Sequence, residues 1–495
     1  MSDLLYLLPE IFLLVTVLGV VLSEIGYHGE RHRLLTATAI AGLLAAFIQT
    51  LLSYRFDATQ FLGATLSMDG LSLFFKLIFI TLGALTVWSG HLAKEIAPRR
   101  RAEFFALVLG SVLVMGLAAA AADVLLLFLC VQVAGIFNYL LSSFARRAAS
   151  STEAGVKFLV FTCVSGAFSL LGAALLFAHA HTLNIYEIHR VLAVSPLPPD
   201  TALTVFIFVF LGLAMQMAVF PMHFWAPDAI EGSPTPVSGF VAAGYRAMGF
   251  AVAVRFFIVI FGRPSLELGK WQTLPGIDWP QILAISTALT LLVGALLSIR
   301  QSSAKRLVGY LTVAQGGFYL MGVLVLDEVG IAALFYNLVV DLFALSGIFY
   351  VLAFLKDRLH SDQLGKLGGA MRGAVPESVA LIFFLACLAG LPPTPGFIGK
   401  FALIGAALRR DWHFLALIAI MATGLSTVAA ARLAHGLIGR AEWSEGADVS
   451  SQILWGVEKG RRAFLAVLLV PIVLLGIFAD AVLGWASQSL QFIFW

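Results

Sequence analysis

Two proline-containing stretches decide the fold. Residues 216–225 read Gln-Met-Ala-Val-Phe-Pro-Met-His-Phe-Trp, and residues 390–400 read Gly-Leu-Pro-Pro-Thr-Pro-Gly-Phe-Ile-Gly-Lys. Each interrupts an apolar run long enough to cross a bilayer, which takes about 20 residues. Because proline removes a backbone donor and clashes with the preceding turn, each stretch predicts a broken helix. In lipid the freed carbonyl groups need partners or water, so such breaks are tolerated where they line a cavity.

The composition around these stretches is that of a membrane protein. The 495 residues are 60% hydrophobic and 12% charged, with a mean hydropathy of +0.96. Soluble domains carry about 25% charged residues, so we expect lipid to contact most of the surface. No basic face stands outside the apolar runs, and a nucleic-acid partner is not expected. The three cysteines lie inside apolar runs without metal-ligand spacing, and no metal site is expected.

Fourteen apolar runs of spanning length follow one another along the chain, and no strand is predicted. The runs begin near Leu4, Leu34, Leu71, Phe104, Val124, Lys157, Leu203, Val237, Ile282, Leu307, Gly330, Ser378, Phe414 and Phe464. Of the 31 Lys and Arg residues, 19 lie in loops after odd-numbered runs and 6 in loops after even-numbered runs. Because cytoplasmic loops are enriched in cations, we predict that the odd loops are cytoplasmic and that both termini face the opposite side.

The positions of the two breaks predict the domain organisation. They lie on spans seven and twelve, and a unit of five spans inverts when it is repeated. Two broken helices at matching places are typical of inverted-repeat transporters. We therefore predict one transmembrane domain over residues 1–495, with repeats at 104–261 (spans 4–8) and 282–437 (spans 9–13). Three helices within 1–95 precede the repeats, and one helix within 464–495 follows them.

Six cations fall inside the predicted spans, where a charge at the bilayer centre costs roughly 2.5–3.5 kcal/mol. Such residues pair with a partner, extend to the headgroups or serve an interior path. We expect pairing or extension to the headgroups for Lys76, Arg255 and Arg432. We expect an interior functional role for Lys157, Arg246 and Lys400.

Motifs along the whole chain resemble subunit N (ND2 type) of respiratory complex I. Residues 227–238, Pro-Asp-Ala-Ile-Glu-Gly-Ser-Pro-Thr-Pro-Val-Ser, look like the loop after that family's broken helix seven. Residues 396–401, Gly-Phe-Ile-Gly-Lys-Phe, match its helix twelve, and residues 151–158 and 305–310 resemble the entries to helices six and ten. The resemblance implies an antiporter-like fold. It also implies a series of Lys, His and Glu side chains that carries protons along the membrane midplane, driven by quinone reduction elsewhere in the complex.

Carried over position by position, the resemblance gives candidates for a proton path. Four residues match the family's pattern: Lys157, His223, Tyr310 and Lys400. Arg246 stands where helix eight normally has Lys, and an arginine keeps its charge but does not readily give up a proton. Asp341 lies mid-span where the family is normally uncharged. It is either a functional carboxylate paired with Arg246 or Lys400, or a protonated acid that hydrogen-bonds a neighbour.

Three other positions depart from the family. Gln132 replaces the helix-five Glu, Gln216 replaces the helix-seven Lys, and Gln315 replaces the helix-ten His. An amide can order a hydrogen-bonded chain, but it does not titrate. Losing one partner of the Glu–Lys pair would leave a buried charge unpaired, whereas losing both avoids that cost. The joint replacement therefore indicates compensation.

The resemblance implies the membrane-arm subunit N of a proton-translocating NADH:quinone oxidoreductase, without a redox site of its own, in a bacterial inner membrane. NADH, FMN, iron–sulfur clusters and quinone are expected on partner subunits. Lipid and M-, K- and J-type membrane subunits are the expected neighbours in a hetero-oligomeric complex. Two alternatives stay open, a non-pumping structural paralogue of subunit N and an Mrp-type cation/proton antiporter subunit.

Overall fold

The computed structural model describes residues 2–26, 32–146, 148–265, 269–274, 278–359, 361–439 and 459–490. Over these ranges the chain forms long helices and a few very short strands. Twelve of the described helices are long and apolar enough to cross a membrane. The predicted all-α membrane class is thereby confirmed.

The N-terminal part contains three long helices and one small antiparallel hairpin in which Thr59 pairs with Met68. Its elements are α1 (Ser2–Tyr6), α2 (Leu8–Gly26), α3 (His32–Ser53), β1 (Thr59–Phe61), β2 (Leu66–Met68) and α4 (Gly70–Leu92). The first residue of α4 follows Asp69, whose side chain accepts a hydrogen bond from the backbone N–H of Ser72. This capping contact fixes where α4 begins, because it satisfies an amide that has no partner within the helix.

The region predicted as the first repeat begins after a short 3₁₀ turn at Pro98–Arg100. It contains α5 (Arg101–Ala120), α6 (Val124–Ser142), α7 (Ala149–Ala180), α8 (Ile185–Val194), α9 (Pro199–Met217), α10 (Trp225–Gly232), α11 (Thr235–Phe240) and α12 (Arg246–Val254). Two π-helical turns, Val241–Tyr245 and Arg255–Ile260, flank α12. Together with α11 they form one continuous helical segment, Thr235–Ile260, which is wholly buried. We call this segment the central helix.

The region predicted as the second repeat follows a second antiparallel hairpin of two strands, β3 (Gly262–Pro264) and β4 (Trp271–Thr273). It contains α13 (Trp279–Ile299), α14 (Ala304–Leu324), α15 (Glu328–Leu359), a 3₁₀ turn (Leu364–Lys366), α16 (Ala370–Gly373), α17 (Val375–Ala389), α18 (Pro395–Arg409) and α19 (His413–Ile438). Two further helices, α20 (Lys459–Ile477) and α21 (Ala479–Gln488), complete the described chain. The long helix α15 is largely buried and packs against both α17 and α18.

Both proline-containing stretches interrupt helices where the sequence predicts. Helix α9 ends at Met217, and Ala218 takes a left-handed conformation with φ of 56° before α10 begins at Trp225. Helix α17 ends at Ala389, and Gly390 takes a left-handed conformation with φ of 82°. Helix α18 then begins with Pro395 in its first turn, a position where the missing amide costs nothing.

Some predicted boundaries differ from those in the structure. The run predicted from near Leu4 is divided into α1 and α2, and four strands of three residues are present where none is predicted. Residues 181–201 form a polar stretch between two predicted runs, where the sequence predicts a loop, but they contain α8, whose side-chain cap is Asn184. The single C-terminal helix predicted over 464–495 begins at Lys459 and is divided after Ile477, and residues 491–495 lie outside the described ranges. The count of fourteen spans, the repeat boundaries and the inverted relation of the repeats stay predictions.

Candidate functional site

The side chain of Lys400 extends from α18 into the break between α17 and α18. Its Nζ donates hydrogen bonds to the carbonyl oxygens of Leu388, at 2.9 Å, and Ala389, at 3.0 Å. These carbonyls lie in the last turn of α17, where the break leaves them without helical partners. The ammonium also lies 4.5 Å from the ring centroid of Phe318. Lys400 is 3% exposed, and no described carboxylate lies within ion-pair distance of it.

Arg246 and Asp341 form a buried ion pair between the two predicted repeats. Arg246 Nη2 lies 2.6 Å from Asp341 Oδ2, and each side chain is 2% exposed. Arg246 belongs to the central helix and Asp341 to α15. Arg246 Nη1 also donates to the carbonyl oxygen of Thr312, at 2.6 Å. Of the two cations expected as partners of Asp341, the structure brings Arg246 into direct contact.

The other partners of Asp341 are neutral donors on α14. The Tyr319 hydroxyl donates to Oδ2 at 2.5 Å, and Gln315 Nε2 donates to Oδ1 at 3.3 Å. Together with the guanidinium of Arg246, three groups therefore direct hydrogens at one carboxyl group. A carboxylate accepts all of these hydrogen bonds, whereas a protonated acid would need an acceptor for its own hydrogen. The geometry favours the paired carboxylate over the protonated acid.

Gln132 and Gln216, where the resemblance implies a Glu–Lys pair, contact consecutive residues of α7. Gln216 is fully buried, and its Nε2 lies 3.4 Å from Ser165 Oγ. Gln132 packs against Gly166 so closely that a Cβ there would lie 2.6 Å from the Gln132 amide carbon. Within the described residues, Gln132 Nε2 and Gln216 Oε1 have no hydrogen-bond partner. The two amides therefore line a polar but uncharged part of the interior.

His223 lies inside the first break, and Tyr310 lies on α14. The His223 ring is buried between the rings of Phe220 and Phe224, with centroid separations of 5.9 and 4.2 Å. Its Nδ1 has no hydrogen-bond partner within the described chain. Tyr310 is half-buried near the start of α14. His223 thus has the interior position that a relay needs.

The interior position expected for Lys157 is wrong. Its side chain is 41% exposed, because it lies about two turns from the start of α7. Its Nζ lies 2.7 Å from a carboxylate oxygen of Glu153 and 2.7 Å from one of Asp228. Arg306 of α14 also pairs with Asp228, at 3.0 Å, and with Glu231, at 2.9 Å. Lys157 therefore belongs to an ion-pair cluster that joins α7, α10 and α14 at their ends.

Two further buried ion pairs involve the N-terminal part: one ties it to the central helix, and the other joins α2 to α4. Arg255 makes a bidentate contact with Asp69, with nitrogen–oxygen distances of 2.8 and 2.9 Å. Lys76 Nζ lies 2.6 Å from Glu10 Oε1. These contacts agree with the expectation of structural pairing for both cations, whereas the side chain of Arg432 is exposed. The sequence signal was present, since Glu10 lies inside a spanning run and Asp69 directly precedes one, but the partners could not be assigned.

A connection between α4 and α15 was not anticipated. Glu95 follows α4 and pairs with Lys356 of α15 at 2.6 Å, and it accepts a hydrogen bond from the backbone N–H of Thr235. Burial alone would raise the pKa of Glu95, but the positive charges of Lys356 and Lys305 hold that pKa below its usual value. Lys305 itself donates to the carbonyl oxygen of Ser233. These contacts fix the start of the central helix.

Comparison with known proteins gives one consistent result. A family profile described as "NADH:quinone oxidoreductase/Mrp antiporter, TM" matches residues 121–426. NADH-quinone oxidoreductase subunit N of Anaeromyxobacter sp. (strain Fw109-5) is 30% identical over 502 aligned positions, which cover 98% of this chain and 96% of that protein.

Two solved structures share the fold. A chain of respiratory complex I from Thermus thermophilus, solved with bound aureothin, has a TM-score of 0.78 and 24% identity, covering 97% of this chain and 100% of its own. A chain of the membrane-bound sulfane sulfur reductase, an archaeal respiratory membrane complex, has a TM-score of 0.86 and 18% identity, with coverage of 99% and 98%. The architecture is therefore shared by respiratory membrane complexes of different kinds.

Proposed function

The chain belongs to the NADH:quinone oxidoreductase/Mrp antiporter transmembrane family, and from this membership we propose that it is subunit N of a proton-translocating quinone oxidoreductase. It acts within a hetero-oligomeric membrane complex. We place it next to M-, K- and J-type subunits in a bacterial inner membrane, with both termini on the periplasmic side. NADH, FMN, iron–sulfur clusters and quinone belong to partner subunits, and this chain holds no redox centre.

The observation that carries the proposal is the setting of Lys400. A lysine amine can take up and release a proton, whereas arginine and glutamine cannot do so under ordinary conditions. Lys400 is buried at a helix break, and its donors meet only backbone carbonyl groups and an aromatic ring. Intramembrane ionisable residues of this kind mark ion pathways. We assign Lys400 as the residue that carries the proton in this subunit.

Buried polar atoms on the way to Lys400 support a hydrogen-bonded path. Among the buried side-chain atoms that lack a hydrogen-bond partner within the described part of the chain are Gln132 Nε2, Gln216 Oε1, His223 Nδ1 and Gln315 Oε1. Buried polar groups in proteins are nearly always satisfied, by protein or by ordered water. Water bridging these atoms would connect the first break with the Arg246–Asp341 pair.

A second candidate function is a structural role in the complex without proton transfer. The specific observation that favours it is the uncharged pair Gln132 and Gln216 at the positions where relatives carry Glu and Lys. In the structure these amides contact Ser165 and Gly166 of α7. In this case the chain would keep its fold and its docking surfaces, and other subunits would carry the protons.

Reconstitution of the whole complex into vesicles separates the two functions. The measured quantity is the number of protons translocated per electron transferred to quinone. Lys400→Ala should lower this ratio, and Lys366→Ala, a matched change at an exposed lysine, should not. Gln132→Glu combined with Gln216→Lys should raise it or leave it unchanged. If neither Lys400→Ala nor the double variant alters the ratio, a proton path through this subunit is untenable and the structural role stands.

A further inference from the structure

Helix α14 contacts both Asp341 and Lys400. Gln315 and Tyr319 donate to the Asp341 carboxylate, while Phe318, the residue beside Tyr319, presents its ring to the Lys400 ammonium. One short stretch of α14 therefore contacts both the carboxylate and the amine.

Helix α15 carries Asp341 and also packs against α18 next to Lys400. Asn337 precedes Asp341 by four residues, so the two side chains lie one above the other on one face of α15. Asn337 packs directly on Gly399, where an added Cβ would overlap its amide group. Gly399 is the neighbour of Lys400 in the chain. Asp341 is thus about one helical turn from the level of Lys400.

The charges in this region do not balance. Arg246 and Lys400 supply two buried cations, and Asp341 is the only carboxylate that the described residues place among them. Arg246 stays protonated in proteins, so its charge is permanent. An unpaired charge in the interior is unfavourable. One anion must therefore serve two cations whenever Lys400 carries a proton.

We propose that Asp341 is a mobile counter-ion that moves between Arg246 and Lys400, and that its position determines whether Lys400 holds a proton. When Asp341 contacts Arg246, as in this structure, Lys400 has no ionic partner and gives its proton to a neighbouring water of the path. When Lys400 takes a proton from water, Asp341 turns toward the new ammonium. The proposal rests on the function assigned above, because it requires Lys400 to carry protons.

The partners of Asp341 have alternatives that make this movement feasible. The Tyr319 hydroxyl also lies 3.3 Å from the carbonyl oxygen of Asn337 and can donate there instead. Arg246 keeps its hydrogen bond to Thr312, and its guanidinium carbon lies 5.1 Å from the Tyr319 ring centroid. An aromatic face at this distance attracts a cation. The hydrogen bond from Gln315 is long, at 3.3 Å, and holds Asp341 only weakly.

A single acid on α15 would couple the permanent charge of the first predicted repeat to the titratable lysine of the second. Asp341 is accordingly a positioning residue, since it acts through Lys400 and does not itself carry the proton.

The test uses the reconstituted complex and the ratio of protons translocated per electron. Asp341→Asn removes the charge and keeps the shape, and it should lower the ratio as much as Lys400→Ala does. The double variant should show no further decrease, and Asp341→Glu should restore part of the ratio. Glu377→Gln neutralises another buried carboxyl group, on α17, and is the matched control that should leave the ratio unchanged.

Different results distinguish failure of the counter-ion proposal from failure of the proposed function. If Lys400→Ala lowers the ratio but Asp341→Asn does not, the mobile counter-ion is overturned and the proposed function stands. If the two losses add in the double variant, the residues act independently and the inference is again overturned. If Lys400→Ala has no effect, the proposed function fails first. Should Asp341→Asn not assemble, Arg246→Gln with Asp341→Asn removes both charges, and normal pumping by that variant would refute the proposal.

Discussion

Replacing Asp69 with asparagine should destabilise the protein through one defined contact. Asp69 and Arg255 are each 1% exposed and are joined by two nitrogen–oxygen contacts of 2.8 and 2.9 Å. Arg255 cannot turn away to water, because its Nε also donates to the carbonyl oxygen of Ala119 at 2.9 Å. The variant therefore leaves a permanently charged guanidinium in the interior without an anion.

The geometry allows the size of this effect to be worked out. The amide introduced by Asp69→Asn would keep an oxygen for the backbone N–H of Ser72, so the cap of α4, worth about 1 kcal/mol, is largely retained. What is lost is the charge of one partner in a buried ion pair, which costs about 3–5 kcal/mol. Asp69→Ala should lose the cap as well. Asp57→Asn, at an exposed position of the same connection, should change stability by less than about 0.5 kcal/mol.

The same pair predicts a pH dependence. Burial alone would raise the pKa of Asp69, but the Arg255 guanidinium and the hydrogen bonds from Ser72 and Ser67 hold that pKa below its usual value. A carboxyl whose folded-state pKa lies below its unfolded value stabilises the fold above about pH 4, and this contribution is lost as the pH falls further. In the Asp69→Asn variant, the free energy of unfolding should therefore decrease less as the pH falls below about 4.

The assay is unfolding in mixed detergent micelles, followed by tryptophan fluorescence at several pH values. Wild type, Asp69→Asn and Asp57→Asn are compared under identical conditions. The buried pair does not stabilise the fold as reasoned if Asp69→Asn lowers the free energy of unfolding by less than about 1 kcal/mol and the variant shows the same loss of stability at acidic pH as the wild type.

Two more predictions use the same assay. Gln216→Lys alone should lower the free energy of unfolding by about 3–5 kcal/mol, because it buries an ammonium without a partner. Gln132→Glu in the same chain should recover most of that loss. If the two penalties simply add, the two positions do not interact. Gly396→Ala should prevent normal packing of α17 against α18, because the new Cβ would overlap the backbone carbonyl oxygen of Cys387. Gly405→Ala, on the same helix with nothing within 4 Å, is the control and should be tolerated.

The sequence predicted those features that depend on local chemistry. Prolines and glycines within 216–225 and 390–400 locate both helix breaks, and the structure places α10 and α18 directly after them. Runs of apolar residues predicted most spanning helices to within a few residues. The three-residue strands were missed because so short a segment carries no recognisable alternation.

The candidate site was predictable in its residue types but not in its pairings. Arg246 and Asp341 are 95 residues apart in the chain, and only the packing of the central helix against α15 decides that they meet. Lys157 matched a motif, yet its depth in the membrane depends on where α7 begins relative to α10 and α14. Spacing along one helix reports which face a residue occupies and says nothing about the partner on another helix.

The central helix has a mechanical consequence. Arg246 and Arg255 lie nine residues apart on this buried segment, and each is tied to a carboxylate on a different part of the protein. Sliding the segment along its axis by one turn, about 5.4 Å, would break both ties at once. The two ion pairs therefore hold the segment against displacement along its axis.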